Sequence, residues 1–121
     1  MSLVARHLEA AGIATVVIGS ARDIVEQCGV PRFLFTDFPL GNPCGEPYNT
    51  AMQAAITAMA LDLLETARFP RTTVQAPFAW PSQDWRANYM RVEGIDPAEL
   101  RRRGDERRQT QAARGRGQRP A

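Results

Sequence analysis

Few side chains in this 121-residue sequence are equipped for covalent or acid–base chemistry. It has two cysteines, Cys28 and Cys44, and one histidine, His7. The cysteines form no CxxC pair, and one histidine leaves too few soft ligands for a zinc site. No self-sufficient redox or metal centre is read, and the residues name no cofactor. The chemistry-bearing residues instead gather after two β-type runs. Ser20 follows the first, with the amides of Ala21 and Arg22 beside it. It either caps a helix or helps that helix start favour an anion. Asp37 follows the second run, and either orients a cationic or hydroxylated ligand or caps a turn ahead of Pro39. Gly41 and Asn42 lie in the proline-rich loop 39–43, whose fixed backbone suits a site wall or a packing corner. Cys44 ends that loop and is the more exposed thiol, whereas Cys28 reads as core or boundary filler. Asp37 and Cys44 are thus the catalytic candidates, and Ser20, Arg22, Asp37, Gly41 and Asn42 the substrate-binding ones. His7 reads as a helix-surface residue.

The elements that must hold these residues follow from pattern. Leu3, Val4, Leu8 and Ala11 share a helical stripe stopped by Gly12. The β-branched run 13–18, apolar on both faces, suits a strand buried in a parallel sheet. Ser20 and Asp23 have capping-box spacing and open a helix that Gly29 and Pro31 close. A second strand covers 32–36. A second capping box, Thr50 with Gln53, starts the longest helix, which runs to about Arg68 with Met52, Ala55, Ile56, Met59, Leu63 and Ala67 facing the core. Residues 71–75 read as a short extended piece. From Ala76 the aromatics Phe78, Trp80, Trp85 and Tyr89 follow no clean period. Asp96 and Pro97 open a short charged helix fading by Gly104, and residues 109–121 have a disorder-prone composition.

Helix–strand–helix–strand–helix is an α/β order with a right-handed crossover. Two to three short strands make too small a sheet to bury a two-faced apolar strand. The fold class is therefore a partial doubly wound parallel sheet with flanking helices, completed by a partner chain or by self-association, plus an extended C-terminal arm. Residues 1–75 form the α/β half-domain, 76–100 an aromatic arm on the core or a partner, and 101–121 an arginine-rich tail. Residues 101–121 carry eight arginines against two acids, while the remainder is mildly acidic. No apolar run approaches a bilayer's thickness and no secretory signal is read, so a cytoplasmic location is the default and a membrane is not an expected partner. The arginines sit in low-complexity sequence without an RNA-binding motif, so nucleic acid is an unfavoured partner.

The segment LVARHLEAAGIATVVIGSARDIVEQCGVPRFLFTDFPLGNPCGEP and the helix after it, about residues 3–66, resemble the C-terminal part of the glycine/sarcosine/betaine reductase component B and D-proline reductase family, the selenoprotein B group. The distinctive elements are EAAGI leading into a β run and FPLGNP before a long helix. Family members are reductases in which a selenocysteine or cysteine attacks an activated amino-acid derivative and thiols complete the reduction. In the family that nucleophile lies just before the helix that here begins at Leu3, so no catalytic residue carries over, and the pyruvoyl group of some family complexes has no source here. The resemblance implies a small non-selenium subunit of a reductase-like complex, inactive alone. It would lend its strand-end loops to a shared site for a small amino-acid-like substrate, beside a larger companion carrying the redox loop or in a homo-oligomer. The alternatives are a non-catalytic assembly or regulatory subunit and, third, a nucleic-acid binder acting through the tail.

Overall fold

The computed structural model describes residues 1–89, 94 and 96–116. Residues 90–93 and 95 of the arm and 117–121 of the tail lie outside the described residues. The chain divides into two compact units, Met1–Ala87 and Asn88–Ala121. In order the elements are α1 (Ser2–Ala10), β1 (Val17–Gly19), α2 (Arg22–Cys28), β2 (Arg32–Phe35), α3 (Thr50–Thr66), β3 (Thr72–Gln75), α4 (Asp84–Asn88) and α5 (Pro97–Arg116). The three strands form one open parallel sheet in the order β1-β2-β3.

Successive strand residues face opposite sides, and β2 shows this clearly. Leu34 packs on the α3 face with Ile56, Ala60, Leu63, Phe38 and Ala76. Phe33 packs on the other face with Ala5 of α1, Val25 of α2 and Val30. Helices therefore cover both faces, as the sequence implies. The third strand adds a second connection, of the opposite hand to the first. The connections β1-α2-β2 and β2-α3-β3 advance the same way across the sheet, yet their helices lie on opposite faces. Two such connections have opposite hands, so one departs from the right-handed rule. The long loop ahead of α3 gives the chain the reach to change face.

The first strand is also shorter than its apolar run. Only residues 17–19 pair, all half-buried, and Ile13 is exposed. The cause lies in Thr15, whose backbone N–H donates to Glu9 Oε1 at 2.5 Å while its carbonyl accepts from Arg32 Nη1 at 3.4 Å. Thr15 Oγ1 and Arg32 Nη1 also donate to the same Glu9 oxygen, at 3.0 and 2.8 Å. Residue 15 is thus committed to side chains. Partial burial pushes the Glu9 carboxyl up, but the bonds from Thr15 and the charge of Arg32 outweigh this and hold it below its ordinary value. The α1 stripe differs too. Its buried residue is Ala5; Leu3 is exposed, and Val4, also exposed, lines an open apolar groove with Met1, Leu8, Val16 and Ile18.

Both capping boxes need correction. Helix α2 starts at Arg22 with Ala21 as its N-cap and no side-chain cap. Helix α3 is capped by Asn49, whose Oδ1 accepts from the Met52 amide at 3.1 Å, and Gln53 Nε2 donates to the Glu46 carbonyl at 2.9 Å instead. The extended piece at 71–75 is a full third strand, β3, and the aromatic stretch begins on the core: Phe78 and Trp80 pack on the α3 side, Trp80 lying 5.4 Å from the Phe38 ring.

In the second unit Asp96 opens α5, its Oδ1 accepting from the Ala98 amide at 3.0 Å. The helix does not fade at Gly104 but continues to Arg116. Ion pairs one turn apart offset the glycine: Glu99 with Arg102 and Arg103, Arg102 with Glu106, and Asp105 with Arg108. Hydrogen bonds from Arg102 and then Arg103 hold the Glu99 carboxyl below its ordinary value. Among the described residues no helix is long and apolar enough to cross a membrane.

Candidate functional site

Open parallel sheets present ligand positions at the carboxyl ends of their strands. Here that edge is formed by Ser20 after β1, by Thr36 and Asp37 after β2, and by Ala76 after β3. The ladder continues past the strands proper, with the Thr36 amide donating to the Gly19 carbonyl at 3.0 Å and the Ala76 amide to the Phe35 carbonyl at 2.8 Å. These bonds fix the three chain exits side by side.

Ser20 is not a helix cap. Its Oγ lies 3.4 Å from Thr36 Oγ1, which donates its single proton to the Pro43 carbonyl at 2.7 Å. With that proton spent, the Ser20 hydroxyl is the donor in the long contact, and its lone pairs remain to accept. Thr36 is fully buried and ties the loop back over the end of β2. It was missed from sequence, although a hydroxyl closing an otherwise apolar strand is a readable signal.

Within the loop, the Asn42 amide donates to the Pro39 carbonyl at 3.1 Å, and Gly41 has a φ of +96°. This is a β-turn whose third residue needs positive φ, so glycine there shapes backbone. Asn42 is half-buried, and its carbonyl accepts from the Gly45 amide at 3.2 Å. Cys44 is an exposed free thiol, with no hydrogen bond or ion pair among the described residues. Cys28 is half-buried on α2.

Asp37 is committed to Arg86 of α4, whose guanidinium binds its carboxylate. Arg86 also donates from Nε to Gln83 Oε1 at 2.6 Å and lies 4.6 Å from the centre of the Trp85 ring. Both partners of the pair are about half exposed, so the pair faces solvent. Arg86 escaped the sequence reading because nothing local signals a partner 49 positions away. Arg22 pairs with Glu26 at 3.0 Å and sits 5.7 Å from the Phe35 ring centre, which keeps it near the end of β2. Ser20, Asp37 and the 39–43 loop thus share the strand-end rim, with Arg86 added.

The rim supplies a hydroxyl acceptor and an exposed carboxylate–guanidinium pair, groups suited to binding a small polar molecule. Among the described residues no three His, Cys, Asp or Glu side chains cluster as a metal site.

Fold and rim define an open parallel α/β module with polar side chains at its strand ends. Comparison with curated proteins adds a relative: D-proline reductase subunit gamma of Acetoanaerobium sticklandii is 39% identical over 62 residues, which cover 51% of this chain and 26% of that protein. The matched region thus spans about a quarter of the relative's length. The match supports a distant relationship to that subunit's family. No family model matches the chain, and no solved structure does.

Proposed function

We propose that the chain serves in a reductase assembly related to the D-proline and glycine/sarcosine/betaine reductases, as a unit corresponding to the C-terminal region of their selenoprotein B-type component. The 39% identity to D-proline reductase subunit gamma carries this reading. In it, Ser20, Arg22 and the loop carrying Asp37, Gly41 and Asn42 form part of a shared binding site, and the redox-active nucleophile comes from outside the residues described here. The substrate class is a small amino acid or amine. A zwitterion is complementary to the Asp37–Arg86 pair: its carboxylate takes the place of Asp37 on Arg86, and its ammonium takes the place of Arg86 on Asp37. Ser20 accepts a further hydrogen bond, while the turn at Gly41 lets backbone approach closely.

The open outer edge of β1 and the exposed Leu3, Val4 and Ile13 support completion by a companion subunit. The test is affinity purification of the tagged chain from its native cells, with reductase turnover assayed on the complex. Asp37→Ala and Arg86→Gln are expected to lower kcat/KM at least tenfold, mainly through KM, with the complex intact. A chain that purifies as a lone, folded monomer contradicts the proposal.

A non-catalytic assembly role is the second reading, favoured by one observation: Asp37 and Arg22 are already paired, and Cys44 has no activating neighbour among the described residues. That reading predicts full turnover in complexes carrying Ser20→Ala, Asp37→Ala or Cys44→Ala.

A further inference from the structure

The sequence places the C-terminal arginines in low-complexity chain, yet the structure puts those from Arg101 to Arg116 on α5, a helix of 20 residues. At 1.5 Å per residue it is about 30 Å long, close to one turn of a B-form duplex. Helical spacing of about 100° per residue sorts its charges. Arg101 and Arg108 stack seven residues apart, and Arg103 and Arg107 stack four apart. They flank a strip through Leu100, Gly104 and Gln111 that holds no carboxylate beyond the capping Asp96, one turn before Leu100, whose Oδ1 is bound to the Ala98 amide. Glu99, Asp105 and Glu106 occupy the remaining arc. All four arginines are exposed; neither Arg101 nor Arg107 has an ion pair among the described residues, whereas Arg103 and Arg108 pair with Glu99 and Asp105 and exchange those solvent-facing carboxylates for phosphates.

The helix is also almost without apolar surface. A protein interface needs a desolvated apolar centre, and a bilayer-binding helix needs an apolar face. Leu100 and a few alanines supply neither. Phosphate backbones need neither, because binding there runs on charge and counterion release, and guanidinium groups match phosphate oxygens bidentately.

We propose that α5 is a nucleic-acid-binding helix, with the face carrying Arg101, Arg103, Arg107 and Arg108 seated against the phosphates of a duplex without reading sequence. This activity is separate from the strand-end site and stands whether or not the reductase reading does.

The test uses the full chain, fluorescence anisotropy, and labelled 20-base-pair DNA and RNA duplexes of random sequence. Four phosphate contacts predict a log–log salt slope of about −3.6, or roughly a hundredfold loss of affinity between 50 and 200 mM KCl. Arg107→Gln is expected to flatten the slope by about one, and Gln at all four positions to abolish binding. Lys at all four positions should preserve the slope, and Arg68→Gln, in the first unit, should change nothing. Absence of duplex binding at 50 mM KCl overturns the proposal. So does a four-Gln variant that binds normally, a four-Lys variant that keeps its helical circular dichroism but loses the salt slope, or an acidic polyglutamate peptide that competes as well as unlabelled duplex.

Discussion

At the scale of single residues, Glu9 joins three parts of the chain. One carboxylate oxygen receives the Thr15 amide, the Thr15 hydroxyl and the Arg32 guanidinium, joining α1 to the entry of β1 and the start of β2. Its pKa is lowered in the folded protein from an ordinary value of 4.5. The resulting stabilisation is fully present above about pH 4.5 and is lost as pH falls through the folded value. Glu9→Gln should therefore destabilise by about 1–2 kcal/mol at pH 7, and the deficit should shrink in urea titrations repeated toward pH 3. A deficit independent of pH would leave packing, not charge, as the role of Glu9. Asn49→Ala should cost about 1 kcal/mol by removing the cap of α3, whereas Thr50→Ala should cost much less. The two capping boxes explain why such details escape sequence reading. Ser20 and Thr50 have the right type and spacing, but Ser20 is held by Thr36 across the sheet, and Asn49, one position earlier, has a side chain that does the same work. Spacing reports local options, and a nonlocal partner chooses among them.

Among the elements, the strands and helices of the first unit were legible because hydrophobic periodicity is a local signal. Residues 32–36 announced β2, and Ile56 and Leu63 announced the buried face of α3. Ala60, equally buried, was missed because alanine carries little hydrophobic weight. Leu34→Ala should cost about 2–5 kcal/mol, since Leu34 sits fully buried between the sheet and α3. The same change at the exposed Ile13 should cost well under 1 kcal/mol, and equal losses in thermal melts would contradict the short β1 described above. Helix α5 was foreseen only at its start, where Asp96 and Pro97 are a legible cap. Its continuation through Gly104 rests on ion pairs one turn apart, each worth a few tenths of a kcal/mol and evident only once the helix is assumed. The strand-end rim was half legible: Ser20, Asp37 and the 39–43 loop came from the rule about strand ends, and Arg86 came only from tertiary structure.

For the whole molecule, the arrangement around β1 bears most on assembly. Helix α1 packs on the same face as α2, immediately before β1, where a crossover helix would lie if another parallel strand flanked the outer edge of β1. A strand added there gives α1 the same hand as the α2 connection and covers the groove beside Val16 and Ile18. The lengths of the two existing connections have a kinetic consequence. Twelve residues, 20–31, separate β1 from β2, and 36 residues, 36–71, separate β2 from β3. Closing the longer loop costs about 1 kcal/mol more in chain entropy. The β1-α2-β2 segment should therefore condense first, with α3 and β3 docking late. Val25→Ala would then slow refolding and Ile56→Ala would mainly quicken unfolding, so a newly made chain passes through a stage when Leu34 is bare and prone to sticking.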